Sequence, residues 1–368
     1  MVLAGTVTHN EERGPARPPG DPQVLVVGAG PAGCSAARAA AEAGVRVLVV
    51  ERKAVVGEPV RCGEYVPAPL LREVGRGGAF VVQPVKGMRT ILPSGEVHTL
   101  RAPGFIIRRR RFDQVLAAGA RDAGAHILLS TRAVMGEEGC VRLLGASGEE
   151  WTVKPRVVIG ADGPHSSVGR RMGIRNRNLL AAVQVRVPLV RPMDHTEVHF
   201  LPEIFGGYGW LFPRGGQANV GLGMAPGHGG PHALRPLLGS LLGRLAGEGK
   251  IRNTPRSLTA GWIPVRPLER TVRGWTLLAG DAAGQTHSIT GAGVAQAVEC
   301  GRMAGKWAAR AVLEDRASAL AGYESGWRDL FGETLERAWE KRKHLEARWD
   351  RLEEVIRSCW VGFREYYA

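Results

Sequence analysis

Residues 23–53 read QVLVVGAGPAGCSAARAAAEAGVRVLVVERK. Two runs of Val and Leu flank a Gly-rich turn and an Ala-rich stretch, which predicts strand, turn, helix and second strand: a βαβ unit. No other segment restricts the fold as much, because parallel strands joined by a crossover helix commit the chain to a right-handed α/β layer. Gly28, Gly30 and Gly33 form a GxGxxG turn. Gly28 permits the tight turn, Gly30 lets a diphosphate approach the backbone, and Gly33, just past Ala32, lets helix and strand pack closely. Amides at the helix start then bind phosphate. Glu51 ends the second strand, where a carboxylate holds ribose hydroxyls and repels a 2′-phosphate. The turn is therefore expected to take the ADP half of FAD or NAD, not NADP.

Two later Gly turns follow strands of their own. Residues 160–163 read GADG after VVI, and residues 280–284 read GDAAG after TLLA. With the first turn they span most of residues 23–305, and their order and spacing resemble the p-hydroxybenzoate-hydroxylase-like FAD-dependent oxidoreductases. The resemblance implies FAD. It implies that Asp281, after Gly280, bonds the ribityl chain, and that Asp162 and Gly163 support the dinucleotide site indirectly. Arg109, ahead of Asp113 in RRRRFDQVL, would lie near the flavin, and the backbone around Ala133 would face the adenine. Downstream, Thr290-Gly291-Ala292-Gly293-Val294 opens a helix. At the N1–C2=O edge of a flavin, such a helix start supplies amide donors and partial positive charge.

Two further stretches narrow the likeness. GEPVRCG (57–63) and YGWLFP (208–213) resemble the geranylgeranyl reductase family, whose members hydrogenate isoprenoid double bonds of archaeal glycerophospholipids, the chlorophyll-linked chain and menaquinone side chains. That resemblance sets Cys62-Gly63 beside the flavin and makes Tyr208, Trp210, Phe212 and Pro213 the lining of a substrate tunnel. Ser288 departs from the pattern, standing where a proline commonly precedes the Gly helix start. Reducing an isolated C=C needs a hydride, from reduced flavin, and a proton. Cys62 is the first candidate for the proton; its other reading is a cysteine that only shapes the pocket. His287, Glu64 and Tyr65 are weaker candidates. With no second dinucleotide fingerprint, the electron donor is either a transiently bound NAD(P)H or a ferredoxin. The rival functions are a flavin-dependent monooxygenase or halogenase on an apolar substrate, and a flavin carrier without turnover. A halogenase strand would read WxWxIP, which YGWLFP does not.

The fold class is mixed α/β. A discontinuous FAD-binding domain covers residues 23–176 and 275–305, an antiparallel-sheet substrate domain covers 177–274, and 306–368 is helical. Residues 1–22, polar and rich in Gly and Pro, read as a disordered leader. Within this frame, residues 110–124 predict a helix and 126–134 one strand. Residues 233–247 predict an apolar helix that is a lid, a membrane-facing surface or core. Leu335, Trp339, Leu345, Trp349, Leu352, Ile356, Trp360 and Phe363 form one apolar seam near the C-terminus.

The 368 residues carry a net charge of +14. Such a balance suits an anionic membrane surface, a phosphorylated substrate or an acidic electron carrier. The basic residues are scattered apart from Arg108–Arg111 and are not interleaved with aromatics, which argues against nucleic acid. The five cysteines form no CxxC pair, so neither a disulfide framework nor a metal site is expected, and the compartment is a reducing cytoplasm. No apolar run reaches the ~18 residues of a membrane span. The expected protein is cytoplasmic and peripheral at the inner face of the membrane, acting on a prenyl lipid or quinone.

Overall fold

The computed structural model describes residues 20–74, 78–226 and 230–368, so most of the proposed leader lies outside the described residues. The opening segment forms β1 (Val24–Val27), α1 (Pro31–Glu42) and β2 (Val47–Val50). Next come β3 (Tyr65–Pro67), α2 (Ala68–Val74), β4 (Val81–Val85), β5 (Gly87–Ile91), β6 (Val97–Leu100), β7 (Gly104–Ile107) and α3 (Arg109–Asp122). The strands β8 (His126–Leu128), β9 (Thr131–Met135), β10 (Val141–Gly145), β11 (Glu150–Val153) and β12 (Val157–Gly160) precede α4 (Ser167–Arg171). The expected single strand over 126–134 is thus two. Ser130, at φ 51°, turns the chain between them, and its N–H bonds back to the Lys53 carbonyl.

The later chain forms β13 (Leu179–Pro188), β14 (His195–His199), β15 (Tyr208–Arg214), β16 (Gln217–Met224), α5 (Gly230–Gly247) and β17 (Arg256–Pro264). The chain returns through β18 (Val272–Arg273) and β19 (Thr276–Leu278), then continues as α6 (Val294–Leu313), α7 (Ala321–Trp327), α8 (Glu333–Ala347) and α9 (Leu352–Cys359).

The first sheet runs β18-β19-β12-β1-β2-β8, parallel except for the β18–β19 pair. Strands fully covered on both faces read as continuous Val/Leu runs, as β1, β2 and β12 do. All three Gly turns leave the carboxyl ends of neighbouring strands in this sheet, where ligands of open α/β folds bind. Helix α6 lies against α1 at small residues. A Cβ on Gly301 would fall 2.3 Å from the Ala32 carbonyl oxygen, and one on Gly305 would fall 2.1 Å from that of Ala36. This close approach brings the start of α6 to the same edge as the start of α1.

The second sheet runs β17-β13-β16-β15-β14-β5-β6. The β5–β6 hairpin joins it through a parallel β5–β14 pairing. Alternation decides its two faces. Val183, Val185, Leu211, Val220 and Leu222 point to the face covered by Leu238, Leu241 and Leu245 of α5, so α5 is core packing rather than a lid or membrane surface. The neighbouring residues point the other way, towards the first sheet and the C-terminal helices. There Leu345, Leu352, Ile356, Trp360 and Phe363 pack with Phe200, Tyr208 and Phe212, so most of the predicted C-terminal seam is buried against the body.

Candidate active site

The first turn is tight below and open above. A Cβ on Gly28, which sits at φ 103°, would fall 2.4 Å from the Ala161 carbonyl oxygen, and one on Gly33 would fall 1.9 Å from that of Gly28. A Cβ on Gly30 would meet no atom of the described residues within 4 Å. Close packing beneath and free space over the start of α1 fit a dinucleotide diphosphate. Glu51, 9% exposed, is fixed at the end of β2. One carboxylate oxygen accepts from the Ala29 N–H at 2.9 Å and the other from the Lys53 N–H at 3.1 Å. Ala133 is buried in β9 beside Leu143.

The second and third turns divide their work. Asp162 is spent on structure: it accepts from the Ser166 hydroxyl at 2.5 Å and the Ser167 N–H at 2.6 Å, building the start of α4. Gly163 beside it, at φ 84°, has open space around its Cα. Asp281 is less committed: among the described residues its carboxylate accepts only a long bond from Thr286 at 3.3 Å. Burial pushes its carboxyl above the usual range, against the opposing pull of the Arg109 guanidinium. Gly293 caps α6, and its hydrogen face lies 3.5 Å from the Asp281 carboxylate, measured from an ideal Cβ. Gly291 adopts φ 66°, and the Ala292 N–H donates to the Thr290 hydroxyl at 3.3 Å just ahead of Val294, the first residue of α6.

The loop that lacks the proline at Ser288 is held by the C-terminal helices instead. Arg342 of α8, 3% exposed, donates to the Ser288 carbonyl at 3.0 Å and the Gly206 carbonyl at 2.6 Å. His287 is likewise structural. Its Nδ1 accepts from the Thr290 N–H at 3.3 Å, so a neutral ring carries its proton on Nε2, which faces the Tyr366 hydroxyl at 3.2 Å. Burial lowers its pKa to about 4.

Cys62 is half-buried on a turn whose carbonyls are gripped from the second sheet. Gln184 Nε2 donates to the Cys62 carbonyl at 2.9 Å, and Asn219 Nδ2 donates to that of Gly63 at 3.2 Å. The Cys62 thiol accepts from the Glu64 N–H at 3.3 Å and is hydrogen-bonded by Arg109. Burial alone would lower the Arg109 pKa, but Asp113, at 2.7 Å, and Cys62 reverse that and raise it.

Glu64 is the anchor of this turn. Only 1% of it is exposed, and its φ is 70°. Its carboxylate accepts from Arg214 Nε at 2.7 Å, Asn219 Nδ2 at 2.9 Å and the Arg109 N–H at 2.9 Å. Sequence reading placed Glu64 among the acids; its carboxylate is fully engaged as an acceptor. Tyr65 is also engaged, its hydroxyl donating to the Ala102 carbonyl at 3.4 Å. Gln184, Asn219 and Arg214 were not singled out from sequence. The signal was there as polar residues alternating inside apolar strands, QVRV and QANVGLG.

Tyr208, Trp210 and Phe212 share one face of β15, as alternation predicts. Neighbouring rings stand 6.1 and 6.4 Å apart, centre to centre. Cross-strand register sets small residues beside them: Ala182 and Gly223 in line with Tyr208, and Gly221 in line with Trp210. The result is an aromatic row over small residues: the Trp210 ring lies across Gly221, where a Cβ would fall 2.4 Å from it, and Tyr208 packs edge-on against Trp360 at 5.2 Å. Trp210, 9% exposed, has no hydrogen-bond partner for its ring N–H among the described residues. At one end a Cβ on Gly63 would fall 2.8 Å from the Phe212 ring. At the other the Tyr208 hydroxyl donates to the Thr290 carbonyl at 2.5 Å, just ahead of the α6 start. The aromatic row thus runs from the Cys62 turn to the Thr290 carbonyl ahead of the Gly291–Gly293 turn.

A sequence profile of the FAD binding domain family matches residues 21–326. Digeranylgeranylglycerophospholipid reductase 1 of Methanopyrus kandleri is 39% identical over 92% of this chain and 97% of its own length. The digeranylgeranylglycerophospholipid reductase of Methanocaldococcus jannaschii is 35% identical over 88% of this chain and 86% of its own. Among solved structures, a geranylgeranyl bacteriochlorophyll reductase-like protein from Thermoplasma acidophilum superposes with a TM-score of 0.84 at 28% identity, covering 94% of this chain and 93% of that one.

Proposed function

This chain belongs to the digeranylgeranylglycerophospholipid reductases within the FAD binding domain family, and we propose that it hydrogenates the C=C bonds of a geranylgeranyl chain carried by a phospholipid. The observation that carries the proposal is the aromatic row. Tyr208, Trp210 and Phe212 run from the Cys62-Gly63 turn to the loop at Thr290 that leads into α6. A flexible polyprenyl chain gains by burying its methyl branches against such a row.

The chemistry that bound, reduced FAD supplies is transfer of a hydride to one alkene carbon. In this reading Gly28, Gly30, Ala32, Gly33 and Glu51 hold the ADP half, and Asp281 the ribityl chain. Gly280, where a Cβ would fall 2.8 Å from that of Ala32, lets the third turn pack against the first, and the helix start at Gly291–Val294 would hold the ring edge. Gly163 and Ala133 border the dinucleotide. The other alkene carbon takes the proton of Cys62 Sγ. The thiolate left behind lies against the Arg109 guanidinium, whose charge offsets it, and water restores the thiol. Gln184 and Asn219 keep that turn from moving when the lipid enters. The FAD-binding unit comprises residues 23–176 and 275–305 without the β5–β6 hairpin, which belongs with the substrate sheet of 177–274; residues 306–368 form the helical closure. Electrons come from NAD(P)H or a ferredoxin, and the protein works from the cytoplasmic side as a peripheral enzyme. Among the described residues, no helix is long and apolar enough to cross a membrane.

The test is anaerobic turnover of a geranylgeranyl phospholipid in detergent, with dithionite as reductant and mass spectrometry as readout. Wild type gains two hydrogens per double bond. Cys62→Ala retains FAD and loses most of that product. Normal product from Cys62→Ala removes the proton from Cys62, and no product from wild type removes the proposal.

A further inference from the structure

A cleft of about 540 Å³ opens on the far side of the Cys62 turn, between the loop after Glu51 and the second sheet. Lys53, Glu58, Gln184, Arg186, Asn219 and Thr259 contribute its polar wall. None of the residues assigned above to the ADP, ribityl or ring-edge contacts lines it. Its charges do not balance. Glu58, the carboxylate on the wall, is already held by Arg110 at 2.6 Å. The Lys53 ammonium makes no ion pair among the described residues. Arg186 reaches Glu64 only at 3.5 Å, because Arg214 occupies the same carboxylate oxygen at 2.7 Å. The remaining Arg186 contact, to the Asn219 side-chain oxygen, is also 3.5 Å. Burial lowers the Lys53 pKa, with Arg61 and Arg52 adding to the effect and Glu51 opposing it, and burial and Arg214 likewise lower that of Arg186 against the pull of Glu64.

We propose that this cleft seats the phosphate or diphosphate ester of a ligand between Lys53 and Arg186. An anion placed there gives Lys53 an ion-pair partner and Arg186 a closer one than Glu64, and Arg supplies a fork suited to phosphate oxygens. The Thr259 hydroxyl adds a neutral donor. Arg186 and Asn219 of the seat lie in one cross-strand row with Phe212. A lipid phosphate in the cleft is thereby placed on the row that carries Phe212. A reduced pyridine dinucleotide carries the same chemistry, and its diphosphate meets the same cations. The proposal rests on the reductase reading, but its test is a binding measurement independent of turnover, so either can fail without the other.

The experiment titrates inorganic pyrophosphate into the oxidised holoenzyme, whose bound FAD fills the dinucleotide site, by calorimetry at constant ionic strength. Wild type binds one equivalent. Lys53→Met, which removes no observed ion pair, weakens binding roughly ten- to hundredfold, and Lys53→Arg restores most of it. Arg186→Met weakens binding to a similar extent. Displacement of pyrophosphate by digeranylgeranylglycerophosphate micelles identifies a head-group seat, and displacement by NADH or NADPH identifies the donor's diphosphate. Absence of binding, equal binding by Lys53→Met, or displacement by neither ligand overturns the proposal.

Discussion

Replacing Glu64 by Gln tests what holds the Cys62 turn to the substrate sheet. The substitution keeps size and shape but removes the charge. Arg214, with a side chain 17% exposed, then loses a charged partner at 2.7 Å, and the new amide nitrogen points at donors, either Arg214 Nε together with Asn219 Nδ2 or the Arg109 N–H. Breaking a buried ion pair by removing one partner costs about 3–5 kcal/mol. Arg214 keeps some contact with water, so the lower end applies, about 3 kcal/mol. Urea unfolding at saturating FAD, which holds the binding linkage constant, reads the loss for Glu64→Gln. Adding Arg214→Met should recover part of it, because the uncompensated charge is then gone. A loss under about 1 kcal/mol, in the range of an exposed pair, would refute the assignment of Glu64 as the anchor.

Gly30→Ala should leave the apoprotein as stable as wild type, since the new methyl meets no atom of the described residues within 4 Å, yet weaken FAD at least tenfold by fluorescence titration. Gly63→Ala should keep FAD and lose prenyl turnover, because its methyl would fall 2.8 Å from the Phe212 ring; Phe212→Ala in the same chain should restore part of the rate. The buried His287 has its pKa lowered to about 4, so the unfolded chain binds the extra proton first as pH falls. Stability from this residue is complete above pH ~6.5 and is lost progressively down to pH ~4, by about 3 kcal/mol. His287→Asn, which keeps an acceptor for the Thr290 N–H, should flatten that part of the pH profile of urea midpoints.

Local patterns carried the cofactor half of the fold. Each Gly turn follows its own strand within a few residues, so GAGPAG, GADG and GDAAG could be read without tertiary information. The wall of Tyr208, Trp210 and Phe212 was equally legible, since a period of two places all three on one face. The grip on Cys62 was not. Gln184, Asn219 and Glu64 meet only when β13 and β16 pair in a particular register, and one residue of slip would turn both polar groups to the α5 face. The β5–β6 hairpin was invisible for the same reason, because its parallel partner β14 lies far along the chain. The buried role of Arg342 escaped because a helix near the C-terminus gives no sign of which loop it reaches.

Anaerobic stopped-flow spectroscopy of the dithionite-reduced enzyme mixed with a geranylgeranyl phospholipid tests the central claim most directly. The account predicts that the flavin spectrum returns to the oxidised form without oxygen, with one flavin oxidised for each double bond saturated. A flavin that stays reduced until oxygen is admitted, and then yields an oxygenated product, would contradict it.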